Sequence, residues 1–367
     1  MKGELPFITW KYEPQTKMKH LVFEDYFDKW VKILGKYHSL NYFDCFGGCG
    51  AYEDKDETIK YGSPIIVAQI AKNALDLKRN VKLVIIDKDG GNIENMKKIF
   101  DYLNLDIDPK FINSDFDATV NKILDSADNL APTFFFVDPF GFTIKMATLR
   151  RIMERQRTEI LLTFMYNSIT RFLKSEHIED ILNQLFGCDN WKELCDKKGD
   201  YRENELIRLY RKKLKEFSKF VYPFKFLFPD KNRTYYYLFH LTNNIKGCSI
   251  MKSCFARYNF GKVEYQGEFE FERQASLFDY TDKEIEDIKT VILSIIDKPK
   301  TYLKILEELI DETPYLESEF CKCIKTLEEE GKIIIKRKPE TTKTGRIRKS
   351  IEHEDEIIKK EFNHAKD

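Results

Sequence analysis

The chain has 367 residues, and its 61 lysines and arginines balance its 61 aspartates and glutamates. A formal net charge of zero excludes a global attraction to nucleic acid or to an anionic membrane, so any such attraction has to come from a local patch. With 42% hydrophobic and 33% charged residues, the composition excludes a disordered or fibrous protein and predicts a globular one. The length predicts one large domain with an appendage.

Membrane, secretion and metal-binding signals are missing from the sequence. No run of about eighteen apolar residues occurs, and the N-terminal segment lacks the apolar centre of a signal peptide. The eight cysteines form no CxxC pair and have no histidine at metal-ligand spacing. These features predict a cytoplasmic protein with reduced thiols and no bound metal.

Residues 40–166 alternate short apolar runs with amphipathic stretches, which is the pattern of an α/β fold with a parallel sheet. The predicted strands are Leu40–Phe46, Val81–Asp87, Lys110–Asn113, Thr133–Asp138 and Glu159–Met165, and the predicted helices are Ser63–Leu77, Ile93–Leu103, Ala118–Asp125 and Lys145–Arg155. Ligands of open α/β sheets bind beyond the carboxyl ends of the strands. We therefore expect one crevice to be lined by Asp44, Asp87, Asp115 and Asp138.

The remainder of the chain predicts a helical insertion, two further strands and a second domain. The insertion covers about 167–232, and aromatic strands follow at 234–241 and 262–271 with a helix between them, as the last strands of the same sheet. The first domain is expected to span 1–278. Three amphipathic helices and a two-stranded ribbon then predict a winged helix-turn-helix domain over 279–352, followed by a charged tail at 353–367.

The first predicted strand leads into a glycine loop, Asp44-Cys-Phe-Gly-Gly-Cys-Gly50. Glycines allow an unusual backbone turn and a close approach of the backbone to a ligand. The second strand ends at Asp87, whose carboxylate has the geometry to accept two hydrogen bonds from a ribose diol. The next helix starts late, at Gly62-Ser63-Pro64, which weakens a dinucleotide-phosphate site and permits an adenosyl cofactor without phosphates.

A second motif, Asp138-Pro-Phe-Gly141, follows a strongly apolar strand. Here the Asp138 carboxylate and the Pro139 carbonyl place two acceptors that could hold an exocyclic amine. Phe140 and Phe142 add flat apolar faces on which a planar substrate or cofactor could stack. The alternative is that Asp138 caps the following helix or turn.

With these motifs the sequence resembles the three-Cys-motif partner protein family, TcmP, whose members look like class I methyltransferases that depend on S-adenosylmethionine. The resemblance rests on residues 16–30, 41–52, 62–64 and 136–142, and it continues weakly through 241–252. It implies a Rossmann-like methyltransferase sheet with S-adenosylmethionine as cofactor. By this resemblance Asp44, Phe46, Gly48 and Gly50 form the methionine and ribose side of the cofactor site, with Asp87 on the ribose and Asp115 near the adenine. The pair Lys19-His20 is similar to a Lys-His pair that lies at the cofactor in a ribosomal-RNA adenine methyltransferase family; a solvated helix face is the alternative.

The predicted ribbon is the most basic part of the chain. Between Gly331 and Lys349 eight basic residues face one acid, a local charge of +7 that predicts contact with nucleic-acid phosphates. The preceding helix is acidic, which disfavours reading of a major groove by that helix, and a protein-docking wing is the alternative for the ribbon. The candidate phosphate contacts are Lys336, Arg337, Lys343, Arg346 and Arg348.

Three functional hypotheses follow from these observations. The first is a methyltransferase that modifies a base amine of DNA or RNA, with Asp138, Pro139 and Phe140 at the catalytic position. The second is a non-catalytic partner of a three-cysteine protein of the radical S-adenosylmethionine type, which the family name implies. The glycine at the fourth position of the Asp-Pro motif favours this second hypothesis. The third, an NAD-dependent oxidoreductase, fits the glycine loop but lacks an evident hydride-handling residue.

Overall fold

The computed structural model describes residues 5–126, 129–228, 231–258, 264–265, 282–342 and 344–360. The chain divides into two compact units, Met1–Ala275 and Ser276–Asp367. In the described part of the chain no helix has the length and apolar character needed to cross a membrane.

The first unit is built on a mixed sheet of eight strands, accompanied by a small sheet near the N-terminus. Its strands are β1 Trp10–Lys11, β2 Leu40–Asp44, β3 Ala51–Glu53, β4 Ile59–Tyr61, β5 Val81–Asp87, β6 Lys110–Asn113, β7 Thr133–Val137, β8 Thr158–Phe164, β9 Phe220–Phe228, β10 Lys231–Thr242 and β11 Glu264–Tyr265. Its α-helices are α1 Pro14–Leu34, α2 Ser63–Leu75, α3 Gly90–Tyr102, α4 Phe116–Ser126, α5 Met146–Met153, α6 Tyr166–Phe172, α7 Glu179–Phe186, α8 Gly199–Leu214 and α9 Ile245–Tyr258.

The strand order of the large sheet is β11-β9-β10-β8-β7-β2-β5-β6. Strands β6, β5, β2, β7 and β8 are parallel, whereas β10 is antiparallel to both of its neighbours. Because β2 lies between β5 and β7, the chain order reverses at β2, and this reversal is where ligands of open α/β sheets bind. The predicted α/β class is confirmed: this is a Rossmann-like sheet with the strand order of class I methyltransferases.

Strand β7 shows how the sequence builds the two faces of this sheet. Alternate side chains of a strand point to opposite faces, so Phe134 and Phe136 share one face and Phe135 lies on the other. On the first face Phe23 of α1 stacks on Phe136, with ring centroids 4.6 Å apart. On the second face Phe43 stacks on Phe135 at 4.8 Å. Each of these side chains is almost wholly buried, which stabilises the sheet by roughly 1.5–3 kcal/mol per side chain.

The region after β8 differs from the sequence prediction. The helical insertion was expected to extend to about residue 232, but strand β9 runs from Phe220 to Phe228 and pairs with β10 over most of its length. Its aromatic residues alternate with less buried ones, and Phe220, Phe224 and Phe226 lie in the core. Of the strand predicted at 262–271, Glu264–Tyr265 forms β11, and the other residues lie outside the described part of the chain.

The second unit consists of α10 Asp282–Ile295, β12 Lys300–Thr301, α11 Tyr302–Leu309, α12 Glu317–Glu329, β13 Ile333–Lys336 and β14 Glu356–Lys359. The three predicted helices are present, but the predicted ribbon ends too early. Strand β13 pairs with β14, which lies within the predicted charged tail. Ile357 of β14 stands opposite Ile335 and is wholly buried, so the hydrophobic core of this unit requires residues that the prediction left in the tail.

Candidate functional site

The carboxyl end of β2 places Asp44 at the point where the chain order of the sheet reverses. Asp44 is wholly buried, and its Oδ2 accepts a hydrogen bond from the Tyr42 hydroxyl at 2.7 Å. Its Oδ1 has no hydrogen-bond partner among the described residues. Burial raises the pKa of Asp44 to about 7, and the nearby charge of Asp138 adds to this, while the Ser63 and Tyr42 hydroxyls oppose it. Asp44 is therefore a buried acid that titrates near neutral pH.

Asp138, directly after β7, is held by two other elements. Lys19 of α1 forms an ion pair with Oδ2, and the Thr163 hydroxyl of β8 donates to Oδ1 at 2.5 Å. The Lys19 ammonium also lies 5.5 Å from the centroid of the Tyr236 ring. Both carboxylate oxygens of Asp138 thus have a donor, and the side chain is fixed in one orientation rather than capping a helix.

His20, the neighbour of Lys19, is 4% exposed and lies among aromatic rings. Its Nδ1 is hydrogen-bonded to the Tyr12 hydroxyl at 3.2 Å, and the Tyr12 and Tyr52 rings pack at 5.7 and 5.4 Å from its own ring. Burial, helped by the charge of Lys19, lowers the pKa of His20 to about 3. His20 consequently stays neutral at physiological pH, and the alternative of a solvated helix face is wrong.

Asp87 organises the glycine loop. Its Oδ2 accepts hydrogen bonds from the Gly48 N–H at 2.8 Å and from Asn92 Nδ2 at 3.3 Å, while Oδ1 accepts the Asp89 N–H at 2.8 Å. Gly48 has a φ of +62°, in the left-handed region that favours glycine. These three bonds leave about one of the roughly four acceptor positions of a carboxylate. In this arrangement Asp87 fixes the loop and cannot also accept two ribose hydroxyls.

Gly50 and Phe46 are packing residues of the same loop. Gly50 has a φ of +80°, and a Cβ there would lie 3.0 Å from Met96 and 3.1 Å from Ile65. Phe46 is partly buried, with its ring centroid 5.5 Å from that of Phe116. The loop is therefore pressed against α2 and α3, which fixes its shape.

Trp10 is a site residue that sequence reasoning missed. A Cβ at Gly48 would lie 3.4 Å from the Trp10 ring, and the ring packs edge-on against Phe140 with centroids 5.2 Å apart. Asn95 of α3 holds this segment by accepting the Ile8 N–H at 2.7 Å and by donating to the Ile8 carbonyl at 2.9 Å. No motif in the sequence signalled this contact, since it joins the N-terminal segment to two distant loops.

The Asp-Pro-Phe-Gly segment and Asp115 complete the predicted set. Pro139 is buried, whereas Phe140 is 71% exposed and available for contact. Asp115 is exposed and accepts the Ala118 N–H at 3.0 Å, so it caps the start of α4. The structure thus brings Asp44 and Asp138 together with Lys19, keeps Asp87 at the glycine loop, and leaves Asp115 outside this cluster.

The predicted phosphate contacts of the second unit divide into two groups. Lys336 and Arg346 are exposed, and Lys336 Nζ lies 3.8 Å from Glu356 Oε2. Arg337 pairs with Glu328 through two hydrogen bonds of 2.8 and 2.6 Å, and Arg348 is 5% exposed and forms an ion pair with Asp355. The prediction that Arg337 and Arg348 bind phosphate is therefore corrected, because carboxylates of the same unit already occupy both guanidinium groups. Lys343 lies outside the described residues.

Comparisons with known proteins give structural neighbours only. No protein-family model and no curated relative matches the chain. Solved structures that it resembles include a SAM-dependent methyltransferase from Agrobacterium tumefaciens, with 11% identity and a TM-score of 0.31 over 46% of this chain and 50% of that one. An rRNA methylase from Streptococcus thermophilus has 8% identity and a TM-score of 0.32 over 60% and 93%. The magnesium protoporphyrin IX methyltransferase of Synechocystis, solved with bound SAM, has 11% identity and a TM-score of 0.31 over 61% and 79%. The chain spans half the length of the first of these, and the fold assignment rests on its own strand order.

Proposed function

We propose that the protein is an S-adenosylmethionine-dependent methyltransferase that acts on an exocyclic amine of a nucleic-acid base. The observation that carries this proposal is the juxtaposition of Asp44 and Asp138 at the reversal of strand order, beside a glycine loop that Asp87 holds in place. Two acids that serve different chemical roles at one edge of a Rossmann-like sheet suit a cationic cofactor and an amine substrate.

The residues around Asp44 fit a positively charged cofactor. Its Oδ1 is buried without a hydrogen-bond donor among the described residues, and no described cation forms an ion pair with it. A ligand that brings a positive charge to Oδ1 would stabilise the ionised form and remove the cost of an unsatisfied buried acceptor. S-adenosylmethionine, when bound, supplies a methyl group already activated on a sulfonium. Asp44, Gly48 and Gly50 would hold it, with Asp87 keeping the loop in shape.

Asp138 and Pro139 would orient the amine of the substrate. Lys19 and Thr163 hold the Asp138 carboxylate at the required place, and an incoming amine would donate to one of the acceptor positions that these two donors leave free. Because the methyl group is already activated, alignment of the amine is the main contribution that these residues have to make. Phe140, exposed beside Trp10, offers an aromatic surface for the ring of the base.

The second unit supports a nucleic-acid substrate through charge. Its order of helix, strand, two helices and two strands is that of a winged helix-turn-helix, which we propose as its fold. Because β14 belongs to this unit, the domain extends beyond the limit of 352 that the sequence predicted. Among the predicted contacts, Lys336 and Arg346 are exposed and would contact phosphates. The membership of the three-Cys-motif partner family remains our proposal from the sequence motifs.

The decisive experiment compares Asp138→Ala with Asp115→Ala, a matched variant that removes an exposed acid outside the cluster. We expect the wild type and both variants to bind S-adenosylmethionine in isothermal titration, within about threefold of one another. Transfer of a radiolabelled methyl group to DNA or RNA fragments should be lost in Asp138→Ala and kept in Asp115→Ala. Retained transfer in Asp138→Ala, or no cofactor binding by the wild type at millimolar concentration, would refute the proposal.

A second function, a non-catalytic partner of a radical S-adenosylmethionine-type protein, is favoured by two observations. Trp10 covers Gly48 of the glycine loop. The fourth position of the Asp-Pro motif is Gly141, so the motif lacks an aromatic side chain there. A partner protein would then bind without a cofactor on this chain. Co-purification with a three-cysteine protein, together with absent cofactor binding, would favour it over the enzyme.

A further inference from the structure

A cavity of about 250 Å³ lies at the edge of the sheet opposite the glycine loop. Its lining includes the first residues of β8, the last residues of β10, the second half of α1 and the start of α9. Thr163 at the proposed active site and Glu159 at the cavity are four residues apart on β8, or roughly 13 Å. The cavity is thus a separate site, and ligand binding there does not depend on the proposed methyl transfer.

Glu159 supplies a buried acceptor to this cavity. The residue is 8% exposed, and its Oε2 accepts hydrogen bonds from the Tyr26 hydroxyl and, at 3.1 Å, from His240 Nε2. Both bonds go to Oε2, so Oε1 is left without a hydrogen bond among the described residues. Gly247, also in the lining, keeps the space beside Oε1 open, since a Cβ there would lie 3.2 Å from that oxygen.

Trp30 supplies an aromatic ring to the lining of the same cavity. It lines the cavity and is 4% exposed, and its Nε1 has no hydrogen-bond partner among the described residues. Because Nε1 has almost no accessible surface, Trp30 contributes its ring to the cavity, and Glu159 Oε1 is the polar atom that a ligand would contact.

The remaining lining defines the shape and charge of that ligand. Ile33, Leu34 and Ile250 add apolar side chains to the lining, which also includes two exposed cations, Arg157 and Lys246. An apolar body would pack in the middle, and a group of negative charge at the outer end would face the two cations.

We propose that this cavity binds a small aromatic molecule with an amine at its inner end and an anionic group at its outer end. The amine donates to Glu159 Oε1, the ring packs against Trp30 and Ile250, and the anionic group lies near Lys246. The two ends of the ligand have different partners, so each charged group can be tested with a compound that lacks it.

The probe is 4-(aminomethyl)benzoate, which has an amine and a carboxylate at opposite ends of one ring. Binding to the full chain is measured by isothermal titration, and quenching of the tryptophan fluorescence, to which Trp10, Trp30 and Trp191 contribute, is followed in parallel. Benzylamine and 4-methylbenzoate each lack one of the two charged groups. We expect saturable binding of the probe at millimolar or lower concentration, at least about tenfold tighter than that of 4-methylbenzoate, because a charge-assisted hydrogen bond is lost without the amine.

Three variants test the position of the site. Glu159→Gln keeps an acceptor for Tyr26 and should weaken binding of the probe by about tenfold or more. Glu154→Gln, a matched control at an exposed position, should leave binding of the probe unchanged. Ile250→Trp fills the cavity without altering the Glu159 hydrogen bonds and should abolish binding, which keeps the test decisive if Glu159→Gln fails to fold. No saturable binding by the wild type, or equal binding by wild type and Ile250→Trp, would overturn the proposal.

Discussion

The ionisation of Asp44 gives the most direct prediction about cofactor binding. Burial raises the pKa of this acid to about 7 in the protein without a ligand. In the proposed function a cationic cofactor would bind the ionised form, because only that form offers a negative charge to Oδ1. Binding therefore has to strengthen as the pH rises through neutrality.

The size of this effect follows from the pKa. With a pKa of about 7, Asp44 is roughly 9% ionised at pH 6 and roughly 91% ionised at pH 8. If the cofactor binds the ionised form alone, its apparent affinity rises about tenfold between these two pH values. Above pH 8 the dependence levels off, since nearly all molecules are already ionised. His20 adds no titration in this interval, because its pKa is lowered to about 3.

The assay is isothermal titration of S-adenosylmethionine at half-unit steps from pH 6 to pH 8.5, with Asp44→Asn as the control. Asn keeps the shape of the side chain and an acceptor for Tyr42, but it has no charge to titrate. We expect weak, pH-independent binding by the variant and a tenfold dependence for the wild type. A flat profile for the wild type, or the same slope in Asp44→Asn, would show that the cofactor does not contact this carboxylate.

Further predictions concern stability and the second unit. Asp44→Asn should stabilise the unliganded protein at pH 8 by up to about 4 kcal/mol. The folded state holds the Asp44 proton more tightly than the unfolded chain, so the wild type loses stability as the pH rises from about 4 to about 7. Thermal melts at a series of pH values should show this loss only in the wild type. Gly50→Ala should lower the free energy of unfolding in urea by about 1–3 kcal/mol, because residue 50 has a positive φ and its Cβ would lie close to Met96. An unchanged urea midpoint would contradict the packing described for the loop. Arg348→Met should lower the free energy of unfolding by about 3–5 kcal/mol, because it leaves the buried Asp355 carboxylate without the Arg348 guanidinium. Arg346→Gln should change the free energy of unfolding by less than about 0.5 kcal/mol. In gel-shift titrations of labelled RNA or DNA at several salt concentrations, Arg346→Gln should weaken binding and lower the slope of log affinity against log salt concentration by about 1. An unchanged slope would show that nucleic acid does not contact Arg346.

The sequence predicts the central sheet well because its strands are short apolar runs bounded by polar turns. Val81–Asp87 and Lys110–Asn113 are confirmed to the residue. Strand β9 was missed because Phe220–Phe228 follows a basic helix without a glycine or proline boundary, and its partner is defined by pairing across space. Ile357 was assigned to the tail for a related reason: four residues among charged neighbours give too weak a pattern, although β13 requires them as a partner.

The site divides in the same way between local and distant information. The acids after the strands were found because the carboxyl ends of parallel strands meet at one edge. What each acid contacts was not predictable, since the ion pair of Asp138 with Lys19 joins residues 119 positions apart. Asp87 was expected to face a ribose, yet its partners are N–H groups of the chain itself. Arg348 likewise counted as a free charge until Asp355 was placed beside it.

The charge balance around the two central acids explains why they can serve different roles. Lys19 is close enough to Asp138 to neutralise it, and Thr163 adds a second donor. Asp44 has only hydroxyl and backbone donors to lower its pKa, so its charge is uncompensated in the unliganded protein. A positively charged ligand gains most at the uncompensated acid, while a neutral amine needs only the acceptor positions that Lys19 and Thr163 leave free on the compensated one. In the proposed function, this different compensation of two neighbouring carboxylates would direct a cationic cofactor to Asp44 and an amine substrate to Asp138.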